Sequence, residues 1–388
     1  MGPICIAAGT RPEIIKLAPV YQELCRRPGH RTIWLSTGQH TDLADQALSA
    51  FGIEPDVCLR RIAKAHKSTE ARPAADSVAR LFSTLVRRID EAFARIHPSL
   101  VVVQGDTTSA IAAAFAAFSR QIPIAHVEAG LRTFDLARPF PEEGWRSVLA
   151  QISTLHFAPT KTAARNLLRS GLPAHTVRIT GNTVIDALQW LSRHGKPDNS
   201  IGDLGGSNRL ILVTMHRREN WQLAFPEVCA ALLKLRDRFD DVEIRFVLHA
   251  NPALRRQAAH HLENQPRVSL LAPMAYPQFI QLMGRCALIL SDSGGVQEEA
   301  PAFGVPVLVL RDSTERPEAI EAGVAKLVGT SSARILKTAT RLLSDPEAHA
   351  RMARRINPFG DGHAASRIAQ DIESFLATPS RQAERTAA

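Results

Sequence analysis

Short runs of β-branched and aliphatic residues alternate with longer amphipathic stretches along nearly the whole chain. Runs at 4–8, 32–36, 100–103, 122–127, 155–158 and 177–180 predict strands, as do those at 210–214, 243–248, 268–271, 287–290, 305–310 and 325–328. The stretch 100–103 is apolar at every position, as expected of a parallel strand buried on both faces. Between the runs, 77–96, 163–170 and 333–343 carry apolar residues at helical spacing. This alternation predicts an α/β chain of βαβ units in doubly wound parallel sheets. Twelve strands are many for one such sheet, so two Rossmann-like domains facing a central cleft are expected. The cluster of Gly, Pro, Asp, Asn and Ser at 196–208 suits a linker, and Thr180-Gly181-Asn182 is a second candidate hinge. The expected division is 1–180, joined by a C-terminal helix at 364–378, against 181–363, with 379–388 as a frayed polar tail.

Composition narrows the class. With 388 residues, 45% hydrophobic and 22% charged, the chain is neither disordered nor a small disulfide scaffold. No apolar run approaches the roughly 18 residues of a membrane span. The five cysteines are far apart and include no C-x-x-C pair, which speaks against disulfide and zinc frameworks. The first residues lack the charged start and apolar length of a signal peptide, so a cytoplasmic protein is expected. The net charge of +9 admits anionic partners, but the basic residues are dispersed in pairs and only two Tyr are present. A nucleic-acid binder would concentrate them with stacking aromatics, so neither nucleic acid nor membrane is the expected partner.

In open α/β sheets, ligands sit at the carboxyl ends of strands, which directs attention to the loops there. After the first strand, Gly9-Thr10-Arg11-Pro12-Glu13 enters a helix carrying Lys16. A glycine turn, a Pro start and two cations near a helix N-terminus suit a phosphate, and equally a plain turn with surface charge. Gln104-Gly105-Asp106-Thr107 and Glu128-Ala129-Gly130 place carboxylates at two further strand ends. Asp106 reads either as the cap of a helix beginning at Thr107 or as a chemical group. Pro141-Glu142-Glu143 puts two acids at another helix start, with Arg146 one turn on, and an ordinary helix start accounts for at least one of them. In the second half, Met215-His216-Arg217-Arg218 follows a strand, and Ser291-Asp292-Ser293-Gly294-Gly295 opens a helix whose free N–H groups form a ready anion seat. Glu299 follows about one turn later, and the next strand end carries the charged run 311–318. No H-E-x-x-H or EF-hand pattern occurs, and the adjacent His260-His261 diverge on a helix, so chemistry without metal or cofactor is expected.

The segments GTRPEIIKLAPV, TGQH, GDTTSA, HVEAGLRT, PEEGWR, ITGNTVIDAL, HRREN, SDSGGVQEEAPAFGVPVLVLRDSTERPEA and NPFGDG occur in order across nearly the full chain. Together they resemble the non-hydrolysing UDP-N-acetylglucosamine 2-epimerases, a family with the two-domain fold of GT-B glycosyltransferases. The resemblance implies a reversible inversion at C2 of UDP-GlcNAc to UDP-ManNAc. UDP is eliminated to a 2-acetamidoglucal and re-added, in the service of bacterial surface polysaccharide synthesis. It implies Asp106, Glu128 and Glu142 as catalytic carboxylates, with Arg11, Lys16 and Arg146 near the substrate. It further implies His216, Ser293, Gly294, Gly295 and Arg316 at the diphosphate, Glu299 at the ribose and Phe279 at the uracil. Gln39, His40, Arg217 and His249 match parts of a second, regulatory UDP-GlcNAc site, and a homodimer is implied.

This sequence departs from the family at several points. Met274 stands where Gln is frequent, and Trp145 stands where Asn is usual, with bulk that could reshape the sugar pocket. Residues 60–67 replace an expected Gln-rich loop, and Val247 replaces a Pro before His249. The rival readings are a hydrolysing 2-epimerase releasing free ManNAc, an epimerase of a modified UDP-sugar, a GT-B glycosyltransferase using a UDP-sugar donor, and a non-catalytic binder of UDP-sugar or nucleic acid.

Overall fold

The computed structural model describes residues 2–39, 42–59, 74–137, 139–194, 208–215, 224–248 and 251–378. The chain divides into two compact units, Met1–Arg193 with Phe359–Ala388, and His194–Pro358. The boundaries thus fall later than 180 and earlier than 363. The physical reason is the helix Thr183–His194. Its Asp186 carboxylate accepts from the backbone N–H groups of Ala364 and Ala365, at 3.3 and 2.9 Å, and so caps the C-terminal helix. The Asn182 N–H also donates to the Phe359 carbonyl at 2.7 Å. The candidate hinge 180–182 is therefore tied inside the first unit.

In the first unit, β1 (Ile4–Ala8), α1 (Arg11–Arg26), β2 (Thr32–Ser36), α2 (Asp42–Ala50), β3 (Val57–Cys58), α3 (Ala74–Ile96) and β4 (Leu100–Gln104) come in order. Then follow α4 (Thr108–Ser119), β5 (Ile124–Val127), α5 (Glu142–Ile152), β6 (Leu155–Ala158), α6 (Lys161–Arg169), β7 (Val177–Ile179) and α7 (Thr183–His194). The sheet is parallel, in the order β3-β2-β1-β4-β5-β6-β7. Its order reverses between β1 and β4, the switch point at which crevices open above such sheets. The two-residue edge strand β3 is too short to carry a pattern, which is why periodicity misses it. Helix α3 turns Leu85, Ile89, Ala92 and Phe93 to the core, at the i, i+4, i+7, i+8 spacing of a helix face. The alanine run 112–114 of α4 is fully buried. Small side chains there let α4 lie close to both the sheet and α3.

The second unit begins with β8 (Arg209–Thr214), α8 (Ala224–Arg238), β9 (Val242–Val247), α9 (Pro252–Leu262), β10 (Val268–Leu271), α10 (Tyr276–Gly284), β11 (Cys286–Ser291) and α11 (Gly294–Phe303). It continues with β12 (Val307–Val309), α12 (Pro317–Glu321), β13 (Ala325–Leu327), α13 (Ser332–Ser344) and α14 (Pro346–Met352). The final helix, α15 (Ala364–Ala377), returns to the first unit. The second sheet is parallel too, ordered β10-β9-β8-β11-β12-β13, with its switch point between β8 and β11. Ile211, Val213, Phe225, Leu232, Phe246, Leu288 and Leu290 form the centre of its core. Each such side chain contributes about 1.5–3 kcal/mol on burial. Among the described residues no helix is long and apolar enough to cross a membrane.

Candidate active site

The loops after β1, β4 and β5 meet above the first sheet. Gly9 ends β1 because nothing larger fits: a Cβ there would lie 1.8 Å from Thr37 Oγ1 and 2.4 Å from Ser109 Oγ. Glu13, fully buried, accepts from the N–H groups of Gly9 (3.0 Å) and Thr10 (2.7 Å) and from the Thr107 hydroxyl (2.6 Å). Burial pushes its carboxyl up, against the pull of these donors. The Gly9 and Thr10 bonds close the β1 loop on itself, and the Thr107 bond stitches it to the β4 loop. Arg11 stands half-buried at the first position of α1.

β4 leads directly into a left-handed Gly105, with φ of 69°. The Nε2–H of buried His126 donates to the Gly105 carbonyl at 2.8 Å and pins this turn. Burial holds the His126 imidazole down at about 4, so the ring is neutral near pH 7. Asp106 follows and takes the Arg146 Nε–H at 2.7 Å. It does not cap α4. Thr107 does, accepting the Ala110 N–H at 3.0 Å.

Glu128, just after β5, is constrained in both backbone and side chain. Its backbone is left-handed, with φ of 61°, which costs a non-glycine residue about 1–2 kcal/mol. Its side chain is 7% exposed. Lys16 donates to Oε1 and the Gln104 amide to Oε2. Asn182 Nδ2 also reaches Oε1, at 3.4 Å. Hydrogen bonds to a charged group contribute about 1.5–3 kcal/mol each, so two strong ones outweigh the backbone strain. A Cβ on Gly105 would lie 3.6 Å from Glu128 Oε2, which sets this acid directly beside the turn that carries Asp106.

The two acids opening α5 divide their roles. Glu143, with no exposed surface, accepts from Arg132 Nε (2.7 Å), Arg146 Nη1 (3.4 Å) and the N–H groups of Thr133 (3.1 Å) and Phe134 (3.0 Å). Burial alone would raise its carboxyl; Arg132 and the two backbone donors outweigh that and hold it below the usual range. Glu143 is thus the helix-start acid. Glu142 is half-buried and stands four residues from Arg146, on the same helix face. Trp145 does not turn towards the acids. Its ring stacks on Phe82 of α3, centroids 5.5 Å apart and planes at 17°, against the α3–α4 core. The expected reshaping of the sugar pocket by its bulk therefore has no basis in this packing.

In the second unit the loops after β11 and β12 meet at the start of α11. Ser293 stands at the N-cap position of α11 without a side-chain capping bond, and its N–H donates to Ser291 Oγ at 3.0 Å. Gly294 and Gly295 open the helix. The Arg316 guanidinium lies across Gly294, where a Cβ would meet its Cζ and Nη1 at 2.4 Å. It is held there by Glu298 (2.6 Å) and Glu315 (3.7 Å), and Arg311 secures Glu315 at 2.7 Å. Free helix N–H groups and an adjacent fixed cation suit a phosphate chain. Glu299, nearly buried, accepts from the Tyr276 hydroxyl at 3.0 Å. Phe279 is half-buried on α10, one turn beyond Tyr276.

Lys16, Asp106, Glu128 and Arg146 are therefore brought together in one unit, and Ser293, Gly294, Gly295 and Arg316 in the other. His40, His216, Arg217 and His249 lie outside the described residues, as does the segment 60–67. Gln39 is described: its Oε1 accepts from both the N–H (3.0 Å) and hydroxyl (2.7 Å) of Ser109, fastening its loop to the start of α4. Sequence reasoning gave no role to Glu13, Gln104, Asn182, Tyr276 or Glu298. Of these, Gln104 carries a local signal, a polar residue ending a strand that is otherwise all apolar, and so does Glu13, which closes a Thr-x-x-Glu capping box at the start of α1.

Comparisons with known proteins give this geometry a context. A family model described as UDP-N-acetylglucosamine 2-epimerase matches residues 22–373. The UDP-N-acetylglucosamine 2-epimerase of Bacillus subtilis (strain 168) is 42% identical over 364 residues, 94% of this chain and 93% of that protein. The crystal structure of UDP-GlcNAc 2-epimerase from Neisseria meningitidis bound to UDP-GlcNAc superposes with a TM-score of 0.89 at 37% identity, over 96% of this chain and 100% of that one. The calicheamicin glycosyltransferase CalG4 is similar in fold alone, with a TM-score of 0.59 at 18% identity over 98% and 99% of the two chains. With matching segments, two parallel sheets and relatives of this identity over nearly its whole length, the chain belongs to the UDP-N-acetylglucosamine 2-epimerase family.

Proposed function

We propose that this chain interconverts UDP-GlcNAc and UDP-ManNAc without hydrolysis. A carboxylate of the first unit takes the C2 proton while the C1–O bond to UDP breaks, leaving a 2-acetamidoglucal and UDP. A proton then adds to C2 from the opposite face as UDP re-forms the bond at C1, so nothing is consumed. Asp106, Glu128 and Glu142 are the acids assigned to these proton transfers, with Arg11, Lys16 and Arg146 as the surrounding cations. Ser293, Gly294, Gly295, Arg316 and His216 take the diphosphate, Glu299 the ribose and Phe279 the uracil. The C2–H is weakly acidic, so its removal needs a carboxylate fixed against the ring, and a leaving diphosphate needs positive charge and N–H donors. The observation that carries this reading is Glu128, held in a left-handed backbone beneath Lys16 and Gln104, beside the turn bearing the Asp106–Arg146 pair. The relative from Neisseria meningitidis, solved with UDP-GlcNAc, supports the choice of substrate. A homodimer in the cytoplasm, supplying surface polysaccharide synthesis, completes the proposal.

The test is incubation with UDP-GlcNAc alone in deuterated water, followed by NMR. UDP-ManNAc should appear, and both epimers should carry deuterium at C2. Free ManNAc with stoichiometric UDP would replace this reading by hydrolysis. Absence of exchange at C2 would reject epimerisation of this sugar.

A further inference from the structure

Among the groups around Glu128, Gln104 has no role in any reading above, yet its position is unusual. It is the last residue of β4, 3% exposed, and follows four fully buried apolar residues. In register it pairs with Val127, the residue before Glu128. Adjacent parallel strands therefore bring its amide level with the acid. There it donates to Glu128 Oε2, while Lys16 and Asn182 approach Oε1. Lys16 carries the charge and meets Oε1. A carboxylate gripped at one oxygen still turns about its last side-chain bond, because that torsion is broad. A donor at the second oxygen removes this freedom.

We propose that Gln104 is a positioning residue for the reaction: it fixes the plane of the Glu128 carboxylate, and so the direction in which the acid faces C2 of the sugar. The proposal rests on the reading of Glu128 as a catalytic carboxylate. The strand end is well suited to this task, since β4 and β5 are central strands whose positions are set by the sheet. Misplacing a reacting group by about an ångström can cost on the order of 100-fold in rate.

Two variants of the full chain test this. Gln104→Leu removes the donor at similar size, and kcat for UDP-GlcNAc should fall about 30- to 100-fold, with KM within about threefold. Gln104→Glu places a second carboxylate against Glu128. Two such acids share one proton, so the pair regains an O–H donor only on acidification. Its kcat relative to the natural chain should therefore recover as pH falls, whereas the deficit of Gln104→Leu should not depend on pH. A merely structural role would move neither the pH profile nor kcat alone. A crystal structure of Gln104→Leu should show the Glu128 carboxylate rotated from its place. Full kcat in Gln104→Leu, or a carboxylate that has not moved, overturns the proposal. If the natural chain shows no exchange at C2, the functional reading fails by itself, and the carboxylate position in the variant still decides whether Gln104 sets it.

Discussion

Replacing Gly294 by Ala tests the proposed anion seat of the second unit at its tightest point. The new Cβ would lie 2.4 Å from Arg316 Cζ and Nη1 and 2.8 Å from Nη2. Ordinary contact needs about 3.5 Å, so the guanidinium must retreat by roughly an ångström. It cannot do so freely, because Arg316 Nε is held by Glu298 at 2.6 Å, with side chains 11% and 1% exposed. Breaking such a pair outright costs about 3–5 kcal/mol. Partial displacement with some relaxation should therefore cost about 1–3 kcal/mol of stability. Alanine recovers part of this, being about 1 kcal/mol better than glycine within a helix. For the ligand, a displaced cation and a crowded helix start should weaken UDP binding about 10- to 100-fold, which is about 1.4–2.8 kcal/mol. Gly295→Ala is the control. Its Cβ would meet nothing nearer than 3.8 Å, so the unliganded protein should be as stable as before or slightly more so. Calorimetric titration with UDP, alongside urea unfolding, reads both quantities. If Gly294→Ala binds UDP within twofold of the natural chain and unfolds at the same urea concentration, the Arg316 placement argued here is wrong.

Other expectations follow from the same contacts. Glu143→Gln should lower stability by about 2–4 kcal/mol near neutral pH, since Arg132 loses its buried carboxylate. Because the folded Glu143 carboxyl lies below its unfolded value, that difference should be full above about pH 5. It should shrink as pH falls through the unfolded value near 4.3 towards the folded one, so urea midpoints of the two proteins should converge in acid; a difference that does not vary with pH would refute the ionised pair. Gly130→Ala should cost more than about 2 kcal/mol, because φ is 91° and a Cβ would stand 2.2 Å from the Ala163 carbonyl oxygen, in backbone that cannot swing aside. Soluble protein with an unchanged melting temperature would contradict it. Trp145→Ala should cost about 2–3 kcal/mol through the lost Phe82 stack while KM for UDP-GlcNAc stays within about threefold. A changed preference across a panel of UDP-sugars would return that ring to the sugar.

Much of this protein was legible before any coordinates. Strands 4–8, 32–36 and 155–158 stand where the apolar runs put them, because a parallel strand covered on both faces leaves its mark in consecutive residues. Loops that end such strands are equally local, so Asp106, Glu128 and the Ser293–Gly295 turn could be singled out by position alone. What local spacing could not decide is where a side chain goes once the sheet closes. Glu13, Glu142 and Glu143 look alike in sequence, yet Glu13 and Glu143 are spent on backbone N–H groups and fixed hydroxyl or guanidinium partners. Trp145 and Arg146 are neighbours on α5, but one packs on Phe82 and the other reaches Asp106, because adjacent helix positions diverge by about 100°. Lys16 and Glu128 are separated by 112 residues and Gln104 and Glu128 by 24. Only the pairing order of β1, β4 and β5 makes them neighbours, and strand order is a property of the folded sheet that no window of sequence contains.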